Sequence, residues 1–237
     1  AKESGITSFG IQCMTGSGVL DPNYYPNLIS KILKTVKKLK DELNIHMDYI
    51  SLGGGYGIPY TDEDSPLNFD NVFNNVAQNF NVFFESRHEA KPALWIEPGK
   101  SVVGDTGILL TRVTGKKDSY KSYIGVDAGM ETLMRPALYG AYHRIYKVGD
   151  PDALPSTKVD ITGRICENTD RLAKDRLFPE VNEGDLLAVM DAGAYGFTMS
   201  NQFCTRPKVA EIFLAGEKPT LIRRRETIKD ILRSCDV

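Results

Sequence analysis

The sequence contains no apolar run near the roughly 18 residues that a membrane-spanning helix needs, so a helical span is excluded. It has no excess of charge of either sign: 29 Lys and Arg stand against 31 Asp and Glu, a formal net charge of −2. That balance gives no electrostatic case for nucleic acid or an anionic membrane. The four cysteines (Cys13, Cys166, Cys204 and Cys235) have no C-x-x-C spacing. They read as reduced cytosolic thiols, not as a disulfide framework or zinc site, so the expected location is the cytoplasm. The three histidines (His46, His88 and His143) are equally scattered, and no metal site is expected. There is no internal repeat, low-complexity linker or signal-peptide pattern. The chain begins at Ala1, without Met, and reaches a strand-like segment by Thr7 to Gln12. A piece of a longer polypeptide is the expectation.

What is present is a globular composition, 41% apolar and 25% charged over 237 residues, enough for one large or two ordinary domains. The first part alternates strand and helix. A strand over Ile6 to Cys13 precedes a helix from Pro26 to Leu43, with Leu28, Ile32, Val36, Leu39 and Leu43 in helical period. A strand at Met47 to Leu52 runs into Gly53-Gly54-Gly55. A second helix, Asn68 to His88, carries Phe69, Val72, Phe73, Val76, Phe80 and Phe83 on one face. A strand at Ala93 to Ile96 ends on Glu97-Pro98-Gly99. From Thr106 onward strands follow one another: 108–113, 122–126, 145–148, 159–166, 185–191, 208–214 and 220–223, with a closing helix over 226–234. The expected class is α/β plus all-β. Residues 1–105 read as the last units of a TIM (β/α)8 barrel, and residues 106–237 as a β-sandwich or Greek-key barrel domain.

Chemistry-bearing groups sit at strand ends. Gly53-Gly54-Gly55 lets main chain approach a phosphate, because no Cβ stands in the way, or it is a tight βα turn. It matches neither the dinucleotide nor the P-loop spacing. Gly16-Ser17-Gly18 could add a hydroxyl to the same place. Glu97 could hold a protonated ring nitrogen or be salt-bridged at a barrel rim. Arg135, with Tyr139 four residues on, offers a guanidinium fork and a hydroxyl for a carboxylate, or forms a surface ion pair. Tyr195 lies on the small-residue run Asp191-Ala192-Gly193-Ala194-Tyr195-Gly196. Cys166-Glu167-Asn168-Thr169-Asp170 packs a thiol, two carboxylates and an amide into one turn, although a lone strand-end Cys is commonly a small buried hydrophobe.

The set Gly16-Ser17, 52–60 (Leu-Gly-Gly-Gly-Tyr-Gly-Ile-Pro-Tyr), Glu97-Pro98-Gly99, Arg135-Pro136, Cys166-Glu167, 191–196 and Arg223-Arg224-Arg225-Glu226-Thr227 resembles diaminopimelate decarboxylase. That family uses pyridoxal 5'-phosphate and belongs to the alanine-racemase and ornithine-decarboxylase fold group. The resemblance covers nearly the whole chain, in the family's order. It implies decarboxylation of meso-diaminopimelate to L-lysine, with ornithine- or arginine-type decarboxylation and a non-catalytic homologue as the alternatives. It implies that Ser17, Gly54, Gly55 and Tyr195 bind the cofactor phosphate and that Glu97 pairs with the ring nitrogen. It implies that Arg135 and Tyr139 hold the far, D-configured carboxylate, with Glu167 near its amine. Cys166 would protonate the carbon that loses CO₂. It also implies a head-to-tail homodimer in which the Cys-Glu loop enters the partner's site.

Four departures stand out. Met14 occupies the family's ring-stacking His position, with Gln12 at a further His position upstream. Lys100 replaces the Arg after Glu-Pro-Gly, keeping the charge for phosphate or substrate carboxylate but losing the fork. Asn168-Thr169 replaces Ser-Gly. No Lys matches the family's cofactor-anchoring lysine, which the resemblance places on a strand ahead of Ala1, so an N-terminal half is the expected partner.

Overall fold

The computed structural model describes residues 4–216 and 218–235. It divides into two compact units, Ala1–Val103 and Gly104–Val237.

The first unit runs β1 (Gly10–Gln12), α1 (Tyr24–Leu43), β2 (Tyr49–Ser51), α2 (Phe69–Glu85), β3 (Ala93–Trp95) and a single turn, α3 (Lys100–Val103). The three strands are parallel in the order β1-β2-β3. Each strand is three residues long, shorter than its apolar run. Helix α1 starts two residues before Pro26 and buries Tyr25, Ile29, Ile32, Leu33 and Val36. That stripe corrects the expected one, since Leu43 is exposed at the last turn. The helix stops at Asn44, whose left-handed φ of 49° suits an amide side chain. Helix α2 is capped by Asn68, whose side chain accepts the Asn71 N–H at 2.9 Å. It buries Val72, Val76, Phe80 and Phe84 against α1 and ends at Glu85, three residues before the expected His88. Three parallel strands leave both sheet edges open, so a closed (β/α)8 barrel is not in this chain.

The second unit is a mixed six-stranded sheet in the order β6-β9-β4-β5-β7-β8. Its strands are β4 (Leu109–Asp118), β5 (Ser122–Val126), β6 (Ile145–Lys147), β7 (Thr157–Thr162), β8 (Arg171–Phe178) and β9 (Leu186–Val189). Only β5 and β7 pair in parallel. Val113, Ile124, Ile145, Ile161, Leu172 and Leu187, one from each strand, meet in a single core. A sheet whose strands all face one core must curl. The expected sandwich or Greek-key barrel is therefore a curled mixed sheet here, with a separate hairpin of β10 (Glu211–Ala215) and β11 (Lys218–Arg223).

Several elements differ from the sequence expectation. Strand β8 was unforeseen, because Arg171, Lys174, Asp175 and Arg176 interrupt the apolar pattern of Leu172, Ala173 and Phe178. Strand β7 ends at Thr162, so Cys166 lies inside the β7–β8 loop and not at a strand end. A short helix, α4 (Arg135–Tyr139), also interrupts the predicted run of strands, and the closing helix α5 spans Ile228–Ile231 before a 3-10 turn.

Candidate active site

Parallel strands in register bring their C-terminal ends to one edge, and in the first unit those ends are wired together. Glu97, after β3, accepts the Ser51 hydroxyl at 2.6 Å and the Gln12 side-chain N–H at 3.4 Å. Ser51 in turn accepts the Gly53 N–H at 3.1 Å. The Glu97 carboxylate is exposed but held by the ends of β1 and β2. A Cβ on Gly54 would stand 2.6 Å from the Glu97 carbonyl oxygen. A Cβ on Gly55 would stand 2.2 Å from the Gly16 carbonyl oxygen, and its φ of +91° disfavours any side chain. The glycine run and the Gly16-Ser17-Gly18 loop therefore pack backbone against backbone. Lys100 reaches the same loop, its Nζ 3.5 Å from where a Gly18 Cβ would be and 5.8 Å from the Tyr60 ring. Beneath, the Tyr25 hydroxyl donates to the Gly54 carbonyl at 3.0 Å, and its ring stacks on Tyr56 at 4.0 Å. Burial pushes the Tyr25 hydroxyl pKa up to about 12, so it stays a donor. Ser17, Gly54, Gly55, Glu97 and Lys100 are thus gathered at one edge, while Met14 is exposed beside them in the chain.

Arg135, Tyr139, Cys166, Glu167 and Tyr195 stand on the second unit. Arg135 opens α4 and is 5% exposed, which corrects the alternative of a surface ion pair. Tyr139 closes the same helix and is exposed. Beside them, a cleft of about 580 Å³ is lined by Pro136, Tyr142, Thr169 and Leu172, among others. The Cys166 loop is organised by Asp170, which is buried and accepts the main-chain N–H groups of Met130 at 2.7 Å and Ile165 at 3.0 Å. Glu167 accepts both the N–H and the hydroxyl of Thr169 at 3.0 Å, and these bonds hold its pKa below the ordinary carboxylate value. Cys166 itself is exposed, against the buried-hydrophobe alternative. Tyr195 is half exposed with a φ of 58°, which costs a side-chain-bearing residue energy and fixes its direction. Asp191, four residues before it, is buried and paired with Arg144 at 3.1 Å.

A residue that sequence reasoning passed over is His143. It is fully buried, with Nε2 2.9 Å from an Arg135 guanidinium nitrogen and Nδ1 2.7 Å from the Met190 carbonyl. The carbonyl requires the proton on Nδ1, which leaves Nε2 to accept from Arg135. Burial is the main reason its pKa falls below the ordinary 6.5, and Arg135 and Arg176 add repulsion against the opposing pull of Met190 and Asp191. As pH falls through 6.5 the unfolded chain takes up this proton and the folded chain does not. Stability is full above 6.5 and is lost toward the depressed folded value. His143→Gln is expected to flatten the fall in melting temperature of the whole protein between about pH 7.5 and about pH 5.5.

Residues 19–193 match the family model described as the pyridoxal-dependent decarboxylase C-terminal sheet domain. The chain belongs to that family. The chain is 40% identical over its full length to a diaminopimelate decarboxylase of Methanothermobacter thermautotrophicus, covering 55% of that protein. It is 39% identical to the one of Archaeoglobus fulgidus, with 98% of the chain and 54% of that protein covered. A solved diaminopimelate decarboxylase from M. jannaschii superposes with a TM-score of 0.85 at 32% identity, over 95% of this chain and 51% of that one. A further structure of the M. jannaschii enzyme holds L-lysine, and it aligns with a TM-score of 0.83 at 32% identity over the same shares. The chain spans about half the length of the relatives it matches.

The residues of this member of the family fit a pyridoxal phosphate group. The glycine run, packed closely on the Gly16-Ser17-Gly18 loop, and the Lys100 ammonium beside that loop suit a phosphate, and the clamped Glu97 carboxylate suits a protonated ring nitrogen. Ser51, which aims that carboxylate, was missed by the sequence reading, and Gln12, which shares the task, was named there only as a departure at a family His position. Ser51 carries a retrospective signal as the polar residue closing an apolar strand. Asp170 was quoted in the run but given no role. Gly55→Ala is expected to destabilise the whole enzyme by about 1–3 kcal/mol and to weaken its hold on pyridoxal phosphate. Thermal melts with and without the cofactor check both effects.

Proposed function

We propose that this chain supplies the C-terminal half of a pyridoxal-phosphate-dependent carboxy-lyase that converts meso-diaminopimelate to L-lysine and CO₂. The observation that carries the reading is the Glu97 carboxylate, clamped by Ser51 and Gln12 beside the glycine cradle at the strand ends. It is supported by the 40% identity, over the full chain, to a protein named diaminopimelate decarboxylase. The other half of the relatives' length would supply the cofactor-anchoring lysine and the strands that pair with the open edges of β1 and β3.

In this reading Ser17, Gly54, Gly55 and Tyr195 hold the phosphate, and Lys100 adds its charge to the phosphate or to a substrate carboxylate. Glu97 keeps the ring nitrogen protonated. When bound, pyridoxal phosphate accepts the electron pair freed by CO₂ loss. Arg135 and Tyr139 bind the far carboxylate, and His143, holding Arg135 from behind, sets the direction of its fork. Glu167 lies near the far amine, and the Thr169 bonds keep it ionised for that contact. Cys166 delivers a proton to the carbon left by CO₂. The exposure of Cys166 suits a loop that completes the site of a second subunit, in a head-to-tail homodimer with two shared sites.

The test is product stoichiometry. The whole enzyme, loaded with cofactor and given meso-diaminopimelate, is expected to form L-lysine and CO₂ in equal amounts. Absence of lysine overturns the assignment.

A further inference from the structure

Strands β5 and β7 are parallel neighbours, paired as far as Gly125 and Thr162, so the loops that leave them start side by side. The β5–α4 loop leads into Arg135, and the β7–β8 loop carries Cys166 and Glu167. Each loop sends a buried carboxylate to the other. Asp170, on the β7–β8 loop, is 3% exposed and accepts the main-chain N–H of Met130 at 2.7 Å. Glu131, on the β5–α4 loop, is 2% exposed and accepts from the Arg164 guanidinium at 3.1 Å. Met130 stands five residues before Arg135, and Arg164 two residues before Cys166. The Thr169 hydroxyl adds a weaker tie, 3.8 Å from the Met130 sulfur.

Two glycines let these carboxylates close. A Cβ on Gly129 would collide with Asp170 Oδ1 and stand 2.6 Å from Glu131 Oε2, and a Cβ on Gly163 would collide with both Asp170 oxygens. The Gly129 carbonyl accepts the N–H groups of Thr132 and Leu133 at 2.9 Å, in the turn that enters α4. Within its own loop Asp170 accepts the N–H of Ile165, the residue before Cys166, at 3.0 Å. One carboxylate therefore grips the main chain next to Cys166 and the main chain that leads to Arg135. Hydrogen bonds to an ionised acceptor are the stronger kind, and a buried N–H left without one is costly.

We propose that Asp170 and Glu131 form a reciprocal clasp that presents Arg135 and Cys166 as one rigid piece, with Asp170 as the positioning residue for proton delivery by Cys166. The clasp is a property of one chain and holds in whichever subunit's site the two side chains act. The positioning role rests on the proposed function of Cys166, whereas the clasp does not. Misplacement of a reacting group by about 1 Å can cost about 10²-fold in rate, so loosening the clasp acts on turnover without removing any group that touches substrate.

The test uses the whole enzyme loaded with cofactor, with two readouts. The first is amide hydrogen exchange, mapped by mass spectrometry over residues 128–135 and 163–171. Asp170→Asn keeps the size of the side chain but presents an amide N–H₂ to one of the two N–H groups. It is expected to speed exchange in both loops together by about tenfold or more, with β5 and β7 unchanged. Glu131→Gln should do the same to a smaller degree. Faster exchange in the β7–β8 loop alone, or in neither loop, overturns the clasp. The second readout is kcat for meso-diaminopimelate. Asp170→Asn is expected to lower it by about 10–10²-fold, but by less than about threefold more when Cys166→Ala is already present, because the residue acts through that thiol. A full further loss in the Cys166→Ala background overturns the positioning role, since a merely structural defect would multiply. If Asp170→Asn does not fold, Glu131→Gln with and without Cys166→Ala carries both readouts. Wild-type enzyme that forms no lysine, or Cys166→Ala at wild-type kcat, overturns the reading on which the positioning role rests, and the exchange result, which needs no turnover, still decides the clasp.

Discussion

Cys166→Ala in the whole enzyme is expected to lower kcat for meso-diaminopimelate by about 10²–10⁴-fold, the usual worth of a positioned proton donor. Cofactor binding, read from its visible absorbance, should not change, because the proposed holds on phosphate and ring nitrogen come from other residues, the glycine run and Glu97 among them. The loop should also survive, since Asp170 holds it through main-chain N–H groups and the Cys166 side chain plays no part in those bonds. A folded, cofactor-loaded and slow enzyme is therefore the signature. Mixing these subunits with subunits that lack the cofactor lysine tests the shared site: hybrid dimers should regain activity, because one of their two sites is intact. Failure to regain it, with exchange of subunits demonstrated, would place Cys166 in its own subunit's site.

Glu97→Gln is expected to cost about 10²–10³-fold in kcat, by removing the charge that keeps the ring nitrogen protonated. The amide is nearly isosteric and keeps an oxygen to accept from Ser51, so the strand ends should stay wired. The effect should divide differently from that of Cys166→Ala. Both lower kcat, but Glu97→Gln should also alter the absorbance of the bound cofactor, which reports the protonation of its ring. Ser51→Ala, which frees the Glu97 carboxylate without removing it, should fall between wild type and Glu97→Gln. An unchanged spectrum and an unchanged kcat in Glu97→Gln would remove Glu97 from the site.

Much of the first unit was legible, because helical period and glycine-terminated apolar strands are local signals. The wrong stripe on α1 came from counting Leu39 and Leu43 as core, when Ile29 and Leu33 are the buried positions. In the second unit the strands of plain apolar pattern were legible, and β8 was not. Its charged residues satisfy themselves across the sheet, as Arg171 does with Asp160 at 3.4 Å, and that pairing is invisible to a window along the chain. The site divides in the same way. Glu97, the glycines, Arg135 and Cys166 were legible from motif and resemblance. Ser51 and His143 were not, because each acts through a partner 8 to 46 residues away, and nothing local marks it.

In the proposed function the enzyme reads a substrate with a carboxylate at its far end. The most direct measurement is the ratio of kcat/KM for meso-diaminopimelate to that for L-ornithine in the whole enzyme. A ratio of about 10² or more is expected, as a buried, His143-held Arg135 left without its carboxylate costs about 3 kcal/mol. Equal or faster turnover of L-ornithine would contradict it.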